Sequence, residues 1–284
     1  MSSEYGWGNS LRKRFTLVVG FAVLILWSIL AIYPLIWTAL TSLKTNSEIF
    51  TNIWGPPISP QWQNYAKAWT TGNMGTAFIN SMIVTGLTIL VLFLISPMAA
   101  YALGRAEHRL KGPILYFLLA GMYIAPQVSI VPLAVLLQNF GLMNSLFGLV
   151  LVYVASGLPY SVFISRLGFL TIPSSLEDAA KVDGLSTFQT YLRVTLPLAM
   201  PTVLIAMILE AIFVWNDFLY PLVFITSPNF NTLQLALFDF QGRLPQYGPL
   251  FAGILISTIP LLILYIVFSE RIKKGVAAGI GVKT

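Results

Sequence analysis

Between Gly112 and Ser165 the chain carries not one charged residue, and a second uncharged run extends from Phe15 to Leu43. A helix needs about 20 apolar residues to cross bilayer hydrocarbon, where every backbone amide must find its partner within the segment. Each run is long enough, and the first is too long for one crossing. The segment Asn139-Phe140-Gly141-Leu142-Met143-Asn144-Ser145 supplies the turn chemistry that divides it. The uncharged runs predict six spans, at about 15–42, 77–103, 113–138, 146–165, 199–225 and 250–268. Only 9% of the 284 residues are charged, against roughly a quarter in soluble domains. The alternating segments of about ten residues that build a membrane barrel are missing. The expected fold class is therefore all-α and polytopic. The run from Phe15 exceeds the core of a signal peptide, about 7–15 residues, and is expected to remain as the first span.

Six spans put both termini on one side. With the N-terminus inside, thirteen of the sixteen Lys and Arg residues fall inside, and only Lys44, Lys67 and Arg243 fall outside. Basic residues accumulate in cytoplasmic loops, so both termini are expected in the cytoplasm. The net charge of +6 then belongs to those loops and does not mark a nucleic-acid surface. The chain divides into a tail (1–14), a first span with its outside loop (15–76), a core (77–270) containing a polar segment at 175–193, and a second tail (271–284).

Catalytic chemistry finds little purchase. The chain has no cysteine, which excludes disulfides and thiolate sites. His108 is the single histidine, set in a basic loop, so neither a histidine metal cluster nor a Ser-His-Asp arrangement is expected. The tail Gly279-Ile280-Gly281-Val282-Lys283-Thr284 lacks the adjacent Gly-Lys of a phosphate-binding loop. This chain is expected to bind no cofactor and no metal, and not to be an enzyme.

Residues 177–197, EDAAKVDGLSTFQTYLRVTLP, interrupt the apolar pattern. Ser175 and Asp178 have capping-box spacing, predicting a helix over about 176–183 that Gly184 ends. Ser186 and Gln189 form a second capping box, opening a helix through Leu192 and Arg193, and Pro197 and Pro201 lead into the fifth span. Ala179 and Ala180, flanked by carboxylates, permit close approach to another surface. The segment suits either insertion into a groove on a cytoplasmic partner or a solvated position on the membrane surface.

The segment resembles the signature loop of ATP-binding-cassette (ABC) importer permeases, Glu-Ala-Ala, three residues, Gly, nine residues, Ile-x-Leu-Pro. Here Asp178-Ala179-Ala180, Gly184 and Val194-Thr195-Leu196-Pro197 keep every spacing, with Asp for Glu and Val for Ile. Asp183 before Gly184 is similar to the carbohydrate-uptake subfamily. So are Ile124-Ala125-Pro126-Gln127, Trp215-Asn216-Asp217-Phe218 with Pro221-Leu222, and Lys274-Gly275-Val276-Ala277-Ala278-Gly279. The resemblance covers roughly Glu48 to the C-terminus and fits the smaller, maltose-type permease with a MetI-like core. It implies a sugar importer of the bacterial or archaeal cell membrane. Its partners would be a second permease, two ATPase subunits carrying ATP and magnesium, and an extracellular or periplasmic solute-binding protein. It also implies that Glu177, Asp178, Ala179, Ala180, Asp183 and Gly184 form a coupling helix against the ATPase. A bulky residue at Ala180 or Gly184 is then expected to uncouple hydrolysis from uptake.

Two carboxylates, Glu210 and Asp217, fall within the fifth predicted span. Seven residues apart, they share a helix face. Intramembrane carboxylates are costly and face a bundle interior or a wet cavity. Pro221 removes the hydrogen bond to the Asp217 carbonyl and is expected to kink the helix there. The pair suits three roles: lining a sugar path with Trp215, Asn216 or Tyr220 nearby, relaying protons in a secondary carrier, or bonding to neighbouring helices. Asn80, Tyr123 and Gln127 are further lining candidates. Outside, the loop from Thr226 to Pro249 carries Asn229, Phe230, Asn231, Gln241, Gln246 and Tyr247. By position it resembles the loop that reaches into the binding protein, and otherwise it is an ordinary connection.

Overall fold

The computed structural model describes residues 5–70, 73–105, 109–242 and 245–280, with side chains between Arg14 and Ser269. His108, Arg243 and the tail beyond Ile280 lie outside the described residues. The chain divides into two compact units. One comprises residues 1–68 and 240–256, and the other 69–239 and 257–284.

The first unit is built on α1 (Tyr5–Ser42), whose residues 14–36 are exposed and whose end, at Thr41 and Ser42, is buried. A reversal follows through α2 (Asn46–Thr51), which Thr45 caps by accepting from the Glu48 amide. Lys44 is buried, and its ammonium donates to the carbonyls of Asn52 and Ile53. That arrangement satisfies a cation which burial would otherwise penalise. The Asn64 side chain donates to the Ser42 and Lys44 carbonyls at 2.8 and 3.0 Å.

The second unit is the helical core. After α3 (Gln63–Thr70) come α4 (Met74–Arg105), the pair α5 (Lys111–Met122) and α6 (Pro126–Asn139), and α7 (Leu146–Leu170). The polar segment forms α8 (Ser174–Val182) and the start of α9 (Thr187–Asn216). Short helices α10 (Leu219–Phe224) and α11 (Leu233–Asp239) precede α12 (Tyr247–Ile280). Helices α4, α7 and α9 pack against one another. Their buried residues form two clusters. Val84, Val152, Tyr153, Val214 and Tyr220 lie in the first, and Leu92, Val162, Phe169, Val203 and Met207 in the second.

Five helices are long and apolar enough to cross a membrane, and α5 with α6 makes a sixth element bent by 100°. The third span expected over 113–138 is thus found as two helices with a break between Met122 and Pro126. Ala125 precedes Pro126, whose ring drives it from the helical region into an extended conformation (ψ 136°). The pair still runs from one end of the core to the other. Lys111 bonds the Gly104 carbonyl and Leu118 packs on the second cluster, whereas Leu137 belongs to the first.

The fifth span is corrected at both ends. The second polar helix is not separate: it continues from Thr187 to Asn216 through one wide turn at Tyr191–Thr195. Pro197 has no amide to offer the Arg193 carbonyl, and the widened turn gives its ring room. At the far end the helix stops at Asn216, and Asp217 is extended (ψ 131°). Glu210 and Asp217 therefore do not share one continuous helix, and the interruption falls at Asp217–Phe218, ahead of Pro221.

Candidate functional site

Helix α8 begins after extended Pro173, without a side-chain cap. The Ser175–Asp178 box does not form, because the helix starts at Ser174 and places Ser175 inside its first turn. Asp178 instead meets Lys181 at 3.3 Å, an exposed pair worth at most about 1 kcal/mol. At the other end the Leu185 and Gly184 amides return to the Ala180 and Lys181 carbonyls, both at 3.0 Å. Gly184 takes φ +80°, the left-handed conformation this closure requires. The second box is formed: Gln189 N–H donates to Ser186 Oγ, and Ser186 N–H donates to Gln189 Oε1.

The helix has two faces of opposite character. Glu177 and Ala180 turn inward, with 8% and 5% of their surface exposed. Asp178, Ala179, Val182, Asp183 and Gly184 are exposed. The expectation of exposed carboxylates on both sides of the alanine pair is thus corrected at Glu177. Its Oε1 lies 3.1 Å from Arg105 Nε, and Tyr101 donates to Oε2 at 3.3 Å. Arg105 also donates to the Phe169 carbonyl at 2.7 Å and to that of Ile172. One guanidinium therefore joins the ends of α4 and α7 to α8. Sequence reasoning passed over Arg105 and Tyr101; a basic residue closing an otherwise uncharged span was the available signal.

Glu210 sits on α9 between the two core clusters, after Met207 and before Val214, and is 5% exposed. Gly157 opposes it on α7. A Cβ built there would lie 2.7 Å from Glu210 Oε2 and 3.2 Å from Leu92 Cδ1, so glycine makes room for the carboxylate. The carboxylate borders a cavity of about 520 Å3, with the hydroxyl-bearing Ser129, Ser156, Tyr160 and Tyr220 and the ring of Phe213 on its walls. The sequence offered a faint signal for this site in Gly157-Leu158-Pro159, which places glycine and proline inside a span.

Of the lining candidates, only Glu210 and Tyr220 border that cavity. Asn80 instead donates to the Asn229 and Asn231 carbonyls, both at 2.9 Å. Tyr123 and Gln127 are exposed beside the bend of α5 and α6. Trp215 is buried edge-on against Phe78 and donates to the Ser257 carbonyl at 3.0 Å, which leaves no face for a sugar. Asn216 bonds back to the Ile212 carbonyl. Asp217 accepts from Tyr153 Oη at 2.8 Å and from the Tyr220 amide at 3.1 Å, capping the start of α10.

The segment from Thr226 to Pro249 is not an open loop. Its α11 is seated on α4, where the Leu233 amide donates to Ser81 Oγ at 2.8 Å. Asn229 and Phe230 are exposed, whereas Asn231 is half-buried and bonds Asp239. Gln241 and Gln246 are exposed within the first unit, and half-buried Tyr247 packs edge-on against Phe50.

Comparison with known proteins adds three findings. Residues 98–277 match the family described as binding-protein-dependent transport system inner membrane component. The diacetylchitobiose uptake system permease of Streptomyces coelicolor is 35% identical over 95% of this chain and 90% of its own. The multiple sugar-binding transport system permease of Streptococcus mutans is 31% identical, over 91% and 95%. Among solved structures, a bacterial ABC transporter that imports the acidic polysaccharide alginate superposes with a TM-score of 0.79. It is 21% identical, covering 91% of this chain and 97% of that one, and so shares the fold.

Proposed function

The chain belongs to the binding-protein-dependent transport system inner membrane component family, and from that membership we propose a mechanism in which α8 receives the stroke of a cytoplasmic ATPase while the cavity at Glu210 passes a sugar. It is a permease subunit of an ABC importer for sugars and a multi-pass protein of the cell membrane. We assign both termini to the cytoplasm from the distribution of basic residues. The complete importer pairs this chain with a second permease, two ATPase subunits that bind ATP and magnesium, and an external binding protein.

The split character of α8 carries the coupling reading. An element that passes force between two bodies must be fixed to one and open to the other. Glu177 and Ala180 fix α8 to its own core through Arg105 and close packing. Asp178, Ala179, Val182 and Asp183 leave the opposite face for a partner. Gly184 then reverses the chain into α9, so displacement of α8 reaches the helix that carries Glu210. On the outside, Asn229 and Phe230 are the exposed side chains best disposed toward the binding protein.

The inward position of Ala180 moves the test to its neighbour. Ala179→Trp fills the outward face without entering the core. In the reconstituted importer, ATP hydrolysis is expected to persist while uptake falls at least tenfold. Uptake at the wild-type rate would remove α8 from the coupling path.

A further inference from the structure

Glu210 is a buried carboxylate to which the packing supplies no partner. It is 5% exposed, and among the described residues no hydrogen-bond donor or cation pairs with it. The other buried acidic groups differ. Glu177 has Arg105, and Glu48 accepts the Ile58 amide at 2.6 Å. A carboxylate left uncompensated in the interior is expensive and persists where something else meets it. The cavity of about 520 Å3 on which Glu210 borders is the space in which such a partner can meet it.

The walls define the chemistry of the occupant. Ser129, Ser156, Tyr160 and Tyr220 bring hydroxyls, Phe213 brings an apolar side chain, and among the described residues no lysine, arginine or histidine lines it. Such a surface welcomes hydrogen-bond donors and apolar sugar faces. It gives an anion neither a counter-charge nor relief from the carboxylate.

We propose that Glu210 makes this cavity a charge filter on the transport path, accepting neutral or amino-bearing sugars and turning away uronates and phosphorylated sugars. This rests on the reading of the cavity as a sugar path. Gly157 belongs to the device, since its missing side chain lets the carboxylate stand at the cavity wall.

The absence of cysteine from the chain makes a direct test available. Ser156→Cys places a thiol on the cavity wall. The protein, purified with its co-isolating subunits in lipid nanodiscs, is reacted with a trimethylammonium-ethyl and a sulfonatoethyl methanethiosulfonate. The mass shift of this chain gives both rates. Any effect of Glu210 on the thiol's own acidity cancels in their ratio. Replacement of Glu210 by Gln is expected to lower the cation-to-anion ratio about tenfold, the scale of one unit charge acting at close range. Glu210→Asp is expected to keep the ratio high. Equal ratios in all three backgrounds, or no reaction at residue 156, would overturn the filter.

A second arm separates the filter from the sugar. Maltotriose is expected to slow modification in the Glu210 protein, and trigalacturonate to slow it only in the Gln variant. A charge-dependent ratio with no protection by either sugar would overturn the sugar path while the charge filter stood.

Discussion

Arg105 is where three helices meet through one side chain. Its guanidinium contacts the Glu177 carboxylate and the carbonyls of Phe169 and Ile172, and both members of the ion pair are mostly buried. Removing one member of such a pair leaves an uncompensated charge, at a cost of about 3 kcal/mol. Arg105→Ala is expected to lower the midpoint of thermal unfolding. It should also depress uptake more than ATPase activity, because α8 loses its anchor. A variant with unchanged melting and uptake would show the contact to be incidental. Gly184 presents a different constraint. At φ +80° a β-branched side chain meets its own backbone, which costs about 1–2 kcal/mol. Gly184→Val is expected to open the turn, seen as faster hydrogen exchange at the amides of Gly184 and Leu185. Unchanged protection there would contradict the account of that turn. Gly184 was legible from sequence because left-handed helix ends favour glycine. The inward turn of Glu177 was not, since a carboxylate beside an alanine pair reads as solvated until Arg105, distant in sequence, is brought to it.

At the scale of elements, the helices follow from uncharged length, and their interruptions follow from proline. Pro126 sets the bend between α5 and α6, and Pro197 accompanies the wide turn in α9. Sequence placed the proline residues but not the outcome, because a proline can kink, widen or end a helix according to what packs around it. Asp217 illustrates the same limit. Helical spacing put it on one face with Glu210, yet the chain breaks there, and its carboxylate caps α10. The segment from Thr226 to Pro249 was expected as an outside loop, whereas Asn80 holds the carbonyls of Asn229 and Asn231 and Ser81 holds the Leu233 amide. Asn80→Leu leaves both carbonyls without their donor, at about 1 kcal/mol each. Limited proteolysis between Thr226 and Asp239 is expected to accelerate roughly tenfold in that variant while assembly is retained. An unchanged cleavage rate would show that Asn80 does not hold the segment.

For the molecule as a whole, the six-element plan and the motif from Asp178 to Pro197 pointed to one family, and residues 98–277 match it. The cavity was less legible. It draws on α5, α6, α7, α9 and α10, and only the packing of α7 against α9 brings Gly157 to Glu210. The central claim is that this chain moves sugar by coupling to a separate cytoplasmic ATPase. The importer, purified through this chain and sealed into liposomes, is supplied with loaded binding protein outside and ATP inside, with an ionophore present to abolish any proton gradient. Labelled sugar is expected to accumulate at the full rate with ATP, and to stay outside when ATP is replaced by a non-hydrolysable analogue. Accumulation that needs the proton gradient and ignores ATP would contradict the account.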